Sequence, residues 1–456
     1  MNSAASLVAE SAELPQACTF DADLASDAHK AEDYFAETAS RLRELGSPAE
    51  RGDAARGRAQ WLKAQAQAVR EAFLRRHIAA IYDLLTDGMT KEQRVPELLY
   101  AAAERFPGLV PARATIDAER ALRRQSAKEG HEIDQGLFIA HLLAEPRCGL
   151  HLVHVMLRPK REALERLDAF VRSGVVDLGR VRLERRGRVG QVELTNPDFL
   201  NAEDDAAAAA LETAVDLVLL DDQIEVGVLR GGLLQHPKYQ GRRVFNAGIN
   251  LTHVYYGQIS FAEFILDREL GLLNKLYRGH WRTDTYNGEF EDLHEKPWLA
   301  AVESFAIGGG CQLLCCMDRV IAEPGSYFNL PASKEGFIPG SANLRLPRLV
   351  GIQKARHGIF FEQKFEAGTP DGSLICDEVV ARDEMDEAIQ RNAKQMVAAG
   401  MTSTVSNRRA LRVGQEPLDV YRRYMATYSR QQAFCIYDQA LISNLERSWK
   451  PEQRRF

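Results

Sequence analysis

The chain has 456 residues, of which 45% are hydrophobic and 27% charged, and its net charge is −6. This composition is typical of a folded globular protein and excludes a disordered or fibrous one, while the acidic balance argues against nucleic acid as a partner. A chain of this length exceeds what one hydrophobic core usually holds, so we expect two domains.

The sequence carries no sign of a membrane or secreted protein. No apolar run approaches the roughly 18–20 residues that a membrane-spanning helix needs, and residues 1–16 lack the cationic and apolar segments of a signal peptide. We therefore expect a cytoplasmic protein that binds neither a membrane nor nucleic acid.

Helical periodicity dominates the first part of the chain. Apolar residues recur every three or four positions over residues 62–85, and Gly88 is placed to end that helix. Thr90 is a plausible N-cap for the next helix, KEQRVPELLYAAAERF. We predict an α-helical domain over residues 1–180.

The period changes after residue 180, where strands begin to alternate with helices. Such alternation predicts α/β layers, so residues 181–456 are expected to form a second domain, catalytic and completed by C-terminal helices. The predicted elements in chain order are a strand–turn unit at 181–197, a helix at 205–220, a strand at 225–231, a helix at 260–280 and one buried strand at 298–307.

Three glycines, Gly308 to Gly310, follow the last of these strands at the start of a predicted helix. Free backbone N–H groups and the positive end of the helix dipole meet at such a place, which suits an oxyanion. Close packing of helix on strand would also explain the glycines. A second turn of small residues, FNAGINLT, follows a basic loop and has Gly248 directly ahead of Ile249.

Three segments together resemble the crotonase (enoyl-CoA hydratase/isomerase) superfamily. They are FNAGINL, KPWLAAVESFAIGGGCQL and SYFNLPASKEGFIPGSANLRLPRLVG, in that order within residues 181–365. The resemblance implies a crotonase-type ββα spiral core behind the helical domain. It also implies that the backbone N–H groups of Ile249 and Gly309 hold the carbonyl oxygen of an acyl-CoA thioester and stabilise its enolate.

Gln312 departs from the hydratases of this superfamily, which carry glutamates at the positions of Gln312 and Ala332. Adding water needs a base and an acid, so hydration is not expected here. Within the superfamily the chain resembles the cofactor-independent dioxygenases of glycopeptide-antibiotic biosynthesis, in which a helical domain precedes the core. This implies conversion of 3,5-dihydroxyphenylacetyl-CoA and O2 to 3,5-dihydroxyphenylglyoxylate and free CoA, without metal or cofactor, with the neutral Gln312 in a dry pocket.

The hydroxyl groups of such a ring need polar partners, because a site built to bind them rejects analogues that lack them. Arg268, on the helix after the oxyanion turn, is the first candidate, although it could instead pair with Asp267 or Glu269 on a solvated helix face. The other residues assigned to the substrate site are Glu203, Gln431 on a C-terminal helix, and Gly310.

The phosphates of CoA are expected to bind the basic loop that leads into the first oxyanion turn. A solvated surface loop is the alternative for each of its residues. The candidates for CoA binding are His236, Lys238, Arg242, Arg243 and, in the turn itself, Ala247. Members of the superfamily assemble as trimers or dimers of trimers, which the resemblance implies for this chain too.

Three other functions stay open. A metal-dependent oxygenase would have to use the histidines of the helical domain, but no carboxylate nearby completes a facial triad; these histidines are His131, His141, His151 and His154. An acyl-CoA isomerase, thioester hydrolase or decarboxylase of the superfamily is the second alternative, with Glu335 as a possible isomerase base. The third is a non-catalytic scaffold that binds CoA. The base that takes the α proton in a dioxygenase is not identifiable from the sequence.

Overall fold

The computed structural model describes residues 18–281 and 293–449; the N-terminal segment 1–16, on which the signal-peptide expectation rests, lies outside them. The first part of the described chain is helical, as predicted. Its helices are α1 (Leu24–Glu44), α2 (Asp53–Thr86), α3 (Val95–Arg105), α4 (Arg113–Ala121), the 3-10 turn Gln125–Ala127, α5 (Glu132–Ala144), α6 (Pro146–Met156) and α7 (Arg161–Ser173).

The end of α2 is where the sequence predicts it, but the start of α3 is not. Thr90 is not an N-cap, since its hydroxyl donates back to the carbonyl of Asp87. Helix α3 begins at Val95, and the backbone N–H of Arg94 donates to Glu97 Oε2 at 2.9 Å. Proline fits the first turn of a helix, where its missing N–H leaves no hydrogen bond unmade, so Pro96 suits a start at Val95.

Twelve strands are found in the described residues. They are β1 (Val175–Asp177), β2 (Val181–Arg186), β3 (Val189–Leu194), β4 (Val226–Gly231), β5 (His280–Trp281), β6 (Leu293–His294), β7 (Trp298–Val302), β8 (Phe305–Ile307), β9 (Arg319–Ala322), β10 (Tyr327–Asn329), β11 (Phe365–Glu366) and β12 (Glu378–Val379). The main sheet has the order β1-β2-β3-β4-β7-β9-β12 and is parallel from β3 onward. A small sheet, β11-β10-β8, stands beside it.

The remaining helices lie between and after these strands. They are the 3-10 turn Pro197–Phe199, α8 (Asp205–Leu220), α9 (Leu251–Tyr255), the π-helical segments Phe261–Leu266 and Arg268–Leu273 running into α10 (Asn274–Arg278), α11 (Gly309–Leu314), α12 (Ala332–Glu335), α13 (Ala342–Val350), α14 (Ile352–Phe361), the 3-10 turns Gly372–Leu374 and Arg382–Glu384, α15 (Met385–Met396), α16 (Met401–Gln415), α17 (Leu418–Cys435), α18 (Gln439–Asn444) and the π-helical segment Leu445–Trp449.

The stretch WLAAVESFAI is two strands, and the prediction of one strand is wrong. Ser304 between them has a φ of 68°, and its N–H donates to Glu323 Oε1 at 3.0 Å. The preceding residue, Glu303, is buried and paired with Arg230 on β4. The break moves the chain from the main sheet to the small one, where β8 pairs with β10 and delivers the glycines to the site.

The N-terminal helices and the C-terminal helix α17 share one hydrophobic core. It contains Phe73 of α2, Phe138 of α5, Phe261 of the π-helical segment and Tyr421 of α17. Strand β1 already begins at Val175, so the division at residue 180 stays a prediction. Within the described ranges, no helix is both long enough and apolar enough to cross a bilayer.

Candidate functional site

Two glycine turns meet at the centre of the candidate site. Gly248 has a φ of 84°, and a Cβ atom there would lie 2.8 Å from the carbonyl oxygen of Ile307 and 3.1 Å from the nitrogen of Gly309. Only glycine combines this backbone conformation with so close an approach. The N–H of Gly248 donates to Asn246 Oδ1 at 2.6 Å, which fixes the first turn.

The backbone N–H groups of Ile249 and Gly309 are available for a ligand. The N–H of Glu203 donates to Gly248 O at 2.7 Å and that of Asn250 to Glu203 O at 2.8 Å, a parallel bridge that leaves the N–H of Ile249 unused. Gly309 is the first residue of α11, where N–H groups have no partner inside the helix. Neither group donates to an acceptor in the described residues, and both residues line the same pocket.

This pocket lies between the glycine turns, the π-helical segments, residues 330–340 and α17. Its walls are mainly apolar and include Phe264, Ile265, Leu330 and Phe337. The polar side chains that line it are Glu203, Arg268, Glu269, Gln312, Glu335, Tyr428 and Gln432. It therefore has the mixture typical of a ligand site, with a few polar groups in an apolar cleft.

Arg268 is buried in this pocket and is not a solvated helix residue. Its guanidinium pairs with Glu203 through Nε and Nη2, with Glu269 through Nη1 at 2.7 Å, and with Gly309 O through Nη2 at 3.1 Å. Nη1 also donates to Gln312 Oε1 at 2.7 Å. A guanidinium has five N–H groups, so all of them are used within the protein. Direct contact with a ring hydroxyl stays a prediction that needs one of these bonds to open.

The charges around Arg268 explain why residue 312 is a glutamine. Burial alone would lower the pKa of Arg268, but Glu203 and Glu269 raise it above its ordinary value. Two buried carboxylates already surround this one cation. A third at position 312 would add like-charge repulsion in a dry site, whereas the amide oxygen of Gln312 accepts a hydrogen bond without charge. Ala332 also lines the pocket. The two positions at which the hydratases carry glutamates, 312 and 332, are therefore both uncharged in this protein.

Two polar groups of the pocket have unused hydrogen-bonding capacity. The Glu335 carboxylate and the Tyr428 hydroxyl form no hydrogen bond or ion pair with any of the described residues, although both side chains line the cavity. Burial, reinforced by Glu362, raises the pKa of Glu335 to about 8. Burial raises the pKa of Tyr428 well above its ordinary value. Both groups are therefore largely protonated at neutral pH.

Two residues assigned to the substrate site do not line the pocket. Gln431 is exposed on α17, and its neighbour Gln432 lines the cavity instead, with Oε1 accepting the N–H of Ile338 at 2.9 Å. A Cβ atom on Gly310 would lie 2.8 Å from Asn246 Cβ. Gly310 therefore permits close packing against Asn246, and its part in substrate binding stays a prediction. Glu203 does line the pocket, but the sequence did not indicate Glu269, Tyr428 or Gln432.

The basic loop stands beside the site, and its arginines are paired within the protein. Arg242 contacts Glu323 at 2.7 Å, and Arg243 contacts Glu193 at 2.7 Å. Lys238 is exposed, with its amine over the ring of Tyr239, and Ala247 packs among apolar neighbours under the loop. The half-buried His236 ring lies 5.7 Å from that of Tyr239. CoA binding by these residues stays a prediction.

The histidines of the helical domain take part in structural contacts. His151 Nδ1 bonds the Tyr82 hydroxyl at 2.7 Å, and His154 packs 5.0 Å from the Trp281 ring. His131 lines a separate cavity between helices, and burial lowers the pKa of His141. In the part of the chain that the structure describes, no group of three or more His, Cys, Asp or Glu side chains is arranged to hold a metal ion.

Comparison with known proteins agrees with this geometry. The sequence profile of the enoyl-CoA hydratase/isomerase family matches residues 184–427. The chain is 45% identical over 415 residues to the (3,5-dihydroxyphenyl)acetyl-CoA 1,2-dioxygenase of Amycolatopsis orientalis, covering 90% of this chain and 94% of that protein. It is 26% identical over 243 residues to the short-chain-enoyl-CoA hydratase of Clostridium acetobutylicum, covering 53% and 84%.

A solved structure supports the fold. A crystal structure of an enoyl-CoA hydratase/isomerase from Xanthobacter autotrophicus Py2 superposes with a TM-score of 0.50 at 19% sequence identity. The superposition covers 61% of this chain and 96% of that one. The expected α/β fold class, with helices ahead of the core, is confirmed.

Proposed function

The chain belongs to the enoyl-CoA hydratase/isomerase family, and we propose that within it the protein is a dioxygenase that needs no metal or organic cofactor. Its substrate is 3,5-dihydroxyphenylacetyl-CoA, which it converts with O2 to 3,5-dihydroxyphenylglyoxylate and free CoA. The relative from Amycolatopsis orientalis, 45% identical over 90% of this chain, supports this substrate and reaction. Such an enzyme would serve glycopeptide-antibiotic biosynthesis.

One combination of features carries the proposal. Two free N–H groups, at Ile249 and Gly309, face a pocket in which the water-handling positions hold Gln312 and Ala332. The donors suit the oxyanion of an enolate, and each such donor contributes roughly 3–4 kcal/mol where it has been removed in other enzymes. Without a base–acid pair at positions 312 and 332, water is not activated there. The enolate must therefore meet another partner.

Molecular oxygen is the reactant that we propose for the enolate. Loss of the α proton from an arylacetyl thioester gives an enolate conjugated with the ring, and an electron-rich dihydroxyphenyl ring makes it a reductant able to transfer an electron to O2. The pocket walls are apolar on the side of Phe264, Ile265 and Leu330, which favours O2 over water. A neutral Gln312 keeps further charge out of this space.

Binding of the CoA portion and the assembly of the protein belong to the same proposal. The basic loop, residues 236–243, runs into the first glycine turn, and the exposure of Lys238 supports a role for this residue in binding a CoA phosphate. A trimer or dimer of trimers is the assembly proposed, because family members form such oligomers.

An acyl-CoA isomerase is the second candidate, and Glu335 favours it. An isomerase needs a group that takes a proton and returns it, and this carboxylate lies free in the pocket. The two functions differ in their need for oxygen, so anaerobic conditions separate them.

The test is an oxygen-electrode assay on protein freed of metal by a chelator. With 3,5-dihydroxyphenylacetyl-CoA we expect one O2 consumed for each CoA thiol released, at a rate that the chelator does not change. Under argon, CoA release should stop. Release of CoA at an undiminished rate under argon would establish a hydrolase and overturn the proposal. Oxygen uptake that disappears with the metal and returns with added iron would establish a metal-dependent oxygenase.

A further inference from the structure

Three carboxylates line the pocket, and two of them are held by one arginine. Glu203 and Glu269 both accept hydrogen bonds from the Arg268 guanidinium. Glu269 Oε2 also accepts the N–H of Ser341 at 2.8 Å, and Glu203 Oε1 accepts from Asn246 Nδ2 at 3.0 Å. Both oxygens of each carboxylate therefore already accept hydrogen bonds from groups within the protein.

Glu335 differs from both. It is the last residue of α12 and lines the cavity that also contains Ile249 and Gly309. Its carboxylate has neither a hydrogen bond nor an ion pair with residues 18–281 or 293–449. The hydroxyl of Tyr428 in the same pocket is no rival as a base, because burial raises its pKa well above the ordinary value. Glu335 is thus the pocket carboxylate with free lone pairs.

We propose that Glu335 takes the α proton of the acyl-CoA substrate, an inference that rests on the proposed function in that it assumes an enolate intermediate. In this step the bond between the α carbon and its hydrogen breaks, and a new O–H bond forms on the Glu335 carboxylate. The electron pair of the broken bond forms the carbon–carbon double bond of the enolate. The thioester oxygen becomes the anion and accepts hydrogen bonds from Ile249 and Gly309. Nothing is oxidised or reduced in this step.

The surroundings of Glu335 bring the pKa of its carboxyl close to neutral pH. Burial and, to a smaller extent, the negative charge of Glu362 raise its pKa to about 8, while the positive charge of Lys334 opposes them. Two helices pack against α12. Helix α18 has no ionisable side chain in its sequence, QALISN, whereas α14 carries Lys354, Arg356 and His357, of which Lys354 is paired with Asp371. The other charges that line the pocket, Glu203, Arg268 and Glu269, are paired with one another. A base with a pKa near the ambient pH is effective in general-base catalysis.

The test measures proton removal without oxygen. Substrate deuterated at both α positions is incubated with the protein in ordinary water under argon, and loss of deuterium is followed by NMR. We expect Glu335→Gln to lower the exchange rate at least about 100-fold, within the range of general-base contributions, while a non-reactive CoA thioether still binds with unchanged affinity. Glu335→Asp should recover part of the rate.

Glu362→Gln is the matched control, since it removes a neighbouring carboxylate that does not line the pocket. It should retain exchange, and because Glu362 raises the pKa of Glu335, the rise of rate with pH should shift to lower pH. In the parent protein that rise should be centred near pH 8 and be missing from Glu335→Gln.

The outcomes separate this inference from the proposed function. Exchange that depends on Glu335 without any oxygen uptake would support the inference and overturn the dioxygenase. Oxygen uptake together with undiminished exchange in Glu335→Gln would overturn the inference and leave the dioxygenase standing. Equal loss of exchange in Glu335→Gln and Glu362→Gln would also overturn it, because a local electrostatic effect would then explain both.

Discussion

The guanidinium of Arg268 donates a hydrogen bond to the side-chain oxygen of Gln312 at 2.7 Å, and this bond joins the second π-helical segment to α11. The same guanidinium holds the carbonyl oxygen of Gly309 at 3.1 Å. Arg268 therefore holds both Gln312 and Gly309, the residue whose N–H we propose to face the thioester. We therefore expect Arg268 to orient the proposed oxyanion hole.

Gln312→Glu should impair the enzyme without creating a hydratase. A third carboxylate would face Glu203 and Glu269 across a single cation, so we expect a lower melting temperature at pH 8, partly restored at pH 5, where the new acid can take a proton. Oxygen uptake should fall by roughly tenfold or more. The measurements are a thermal melt at both pH values and the oxygen-electrode rate.

Gln415→Glu is the control for this change, because Gln415 is exposed at the end of α16. Its melting temperature and oxygen uptake should match those of the parent protein. A Gln312→Glu variant with parental stability and rate would show that charge at position 312 does not matter.

Arg268→Ala should destabilise the fold as well as the site. It would leave the buried carboxylates of Glu203 and Glu269 without a cation, and removal of one partner from a buried ion pair costs about 3–5 kcal/mol in unfolding free energy. Urea unfolding measures this. Arg161→Ala is the control, since Arg161 pairs with Glu165 on the surface, and its unfolding midpoint should not move. An equal shift in both variants would contradict the role of Arg268 described above.

Gly248→Ala should remove catalysis by displacing the first oxyanion donor. The new Cβ would lie 2.8 Å from Ile307 O, and the φ of 84° is unfavourable for alanine, so the turn and the N–H of Ile249 must move. We expect kcat to fall by about 10²-fold or more. Gly241→Ala is a matched control, because Gly241 has a φ of 70° with no atom within 4 Å of its added Cβ. This control measures the effect of placing alanine at a positive φ without a steric clash. Similar losses of kcat in both variants would contradict the role of the Gly248 turn as an oxyanion donor.

Local signals in the sequence account for the predicted residues that the structure brings together in the pocket. The two glycine turns and Gln312 lie in short contiguous segments, and the spacing of small and apolar residues is enough to place them. The sequence predicts one strand over residues 298–307 because the apolar run is nearly continuous, whereas the structure has two. The break at Ser304 depends on Glu303 and Glu323, whose partners come from distant segments.

The remaining pocket residues depend on tertiary packing that no local pattern encodes. Tyr428 and Gln432 reach the pocket because α17 packs across it, more than a hundred residues after Gln312 in the sequence. Successive side chains on an α-helix point about 100° apart, so choosing Gln431 in place of Gln432 moves the predicted contact from the pocket to solvent. The hydrogen bonds that use all five N–H groups of Arg268 likewise require Glu203, which lies on a separate turn.

Tyr428→Phe should weaken the preference for a hydroxylated ring. The Tyr428 hydroxyl lines the pocket without a hydrogen-bond partner among the described residues, so we expect it to meet a ring hydroxyl of the substrate. The ratio of kcat/KM for the dihydroxyphenyl thioester to that for phenylacetyl-CoA should fall roughly tenfold. Tyr100→Phe, in the helical domain, should leave the ratio unchanged. An unaltered ratio in Tyr428→Phe would remove this residue from ring recognition.

Glu335→Gln should stabilise the protein at alkaline pH. The folded state keeps the proton on Glu335 up to a pKa of about 8, whereas the ordinary value that applies to the unfolded chain is 4.5. Between these values the folded state binds more protons, so the stability of the parent protein falls as pH rises, and the loss is complete above pH 8.

Removing the carboxylate removes this loss, so the melting temperature of Glu335→Gln should exceed that of the parent at pH 9. The corresponding gain in unfolding free energy is of the order of 2–4 kcal/mol, and it should vanish near pH 4, where both proteins carry an uncharged side chain at this position. Thermal melts at the two pH values measure the difference. A gain of the same size at pH 4 and pH 9 would mean that the substitution acts through packing, and it would contradict the raised pKa of the Glu335 carboxyl.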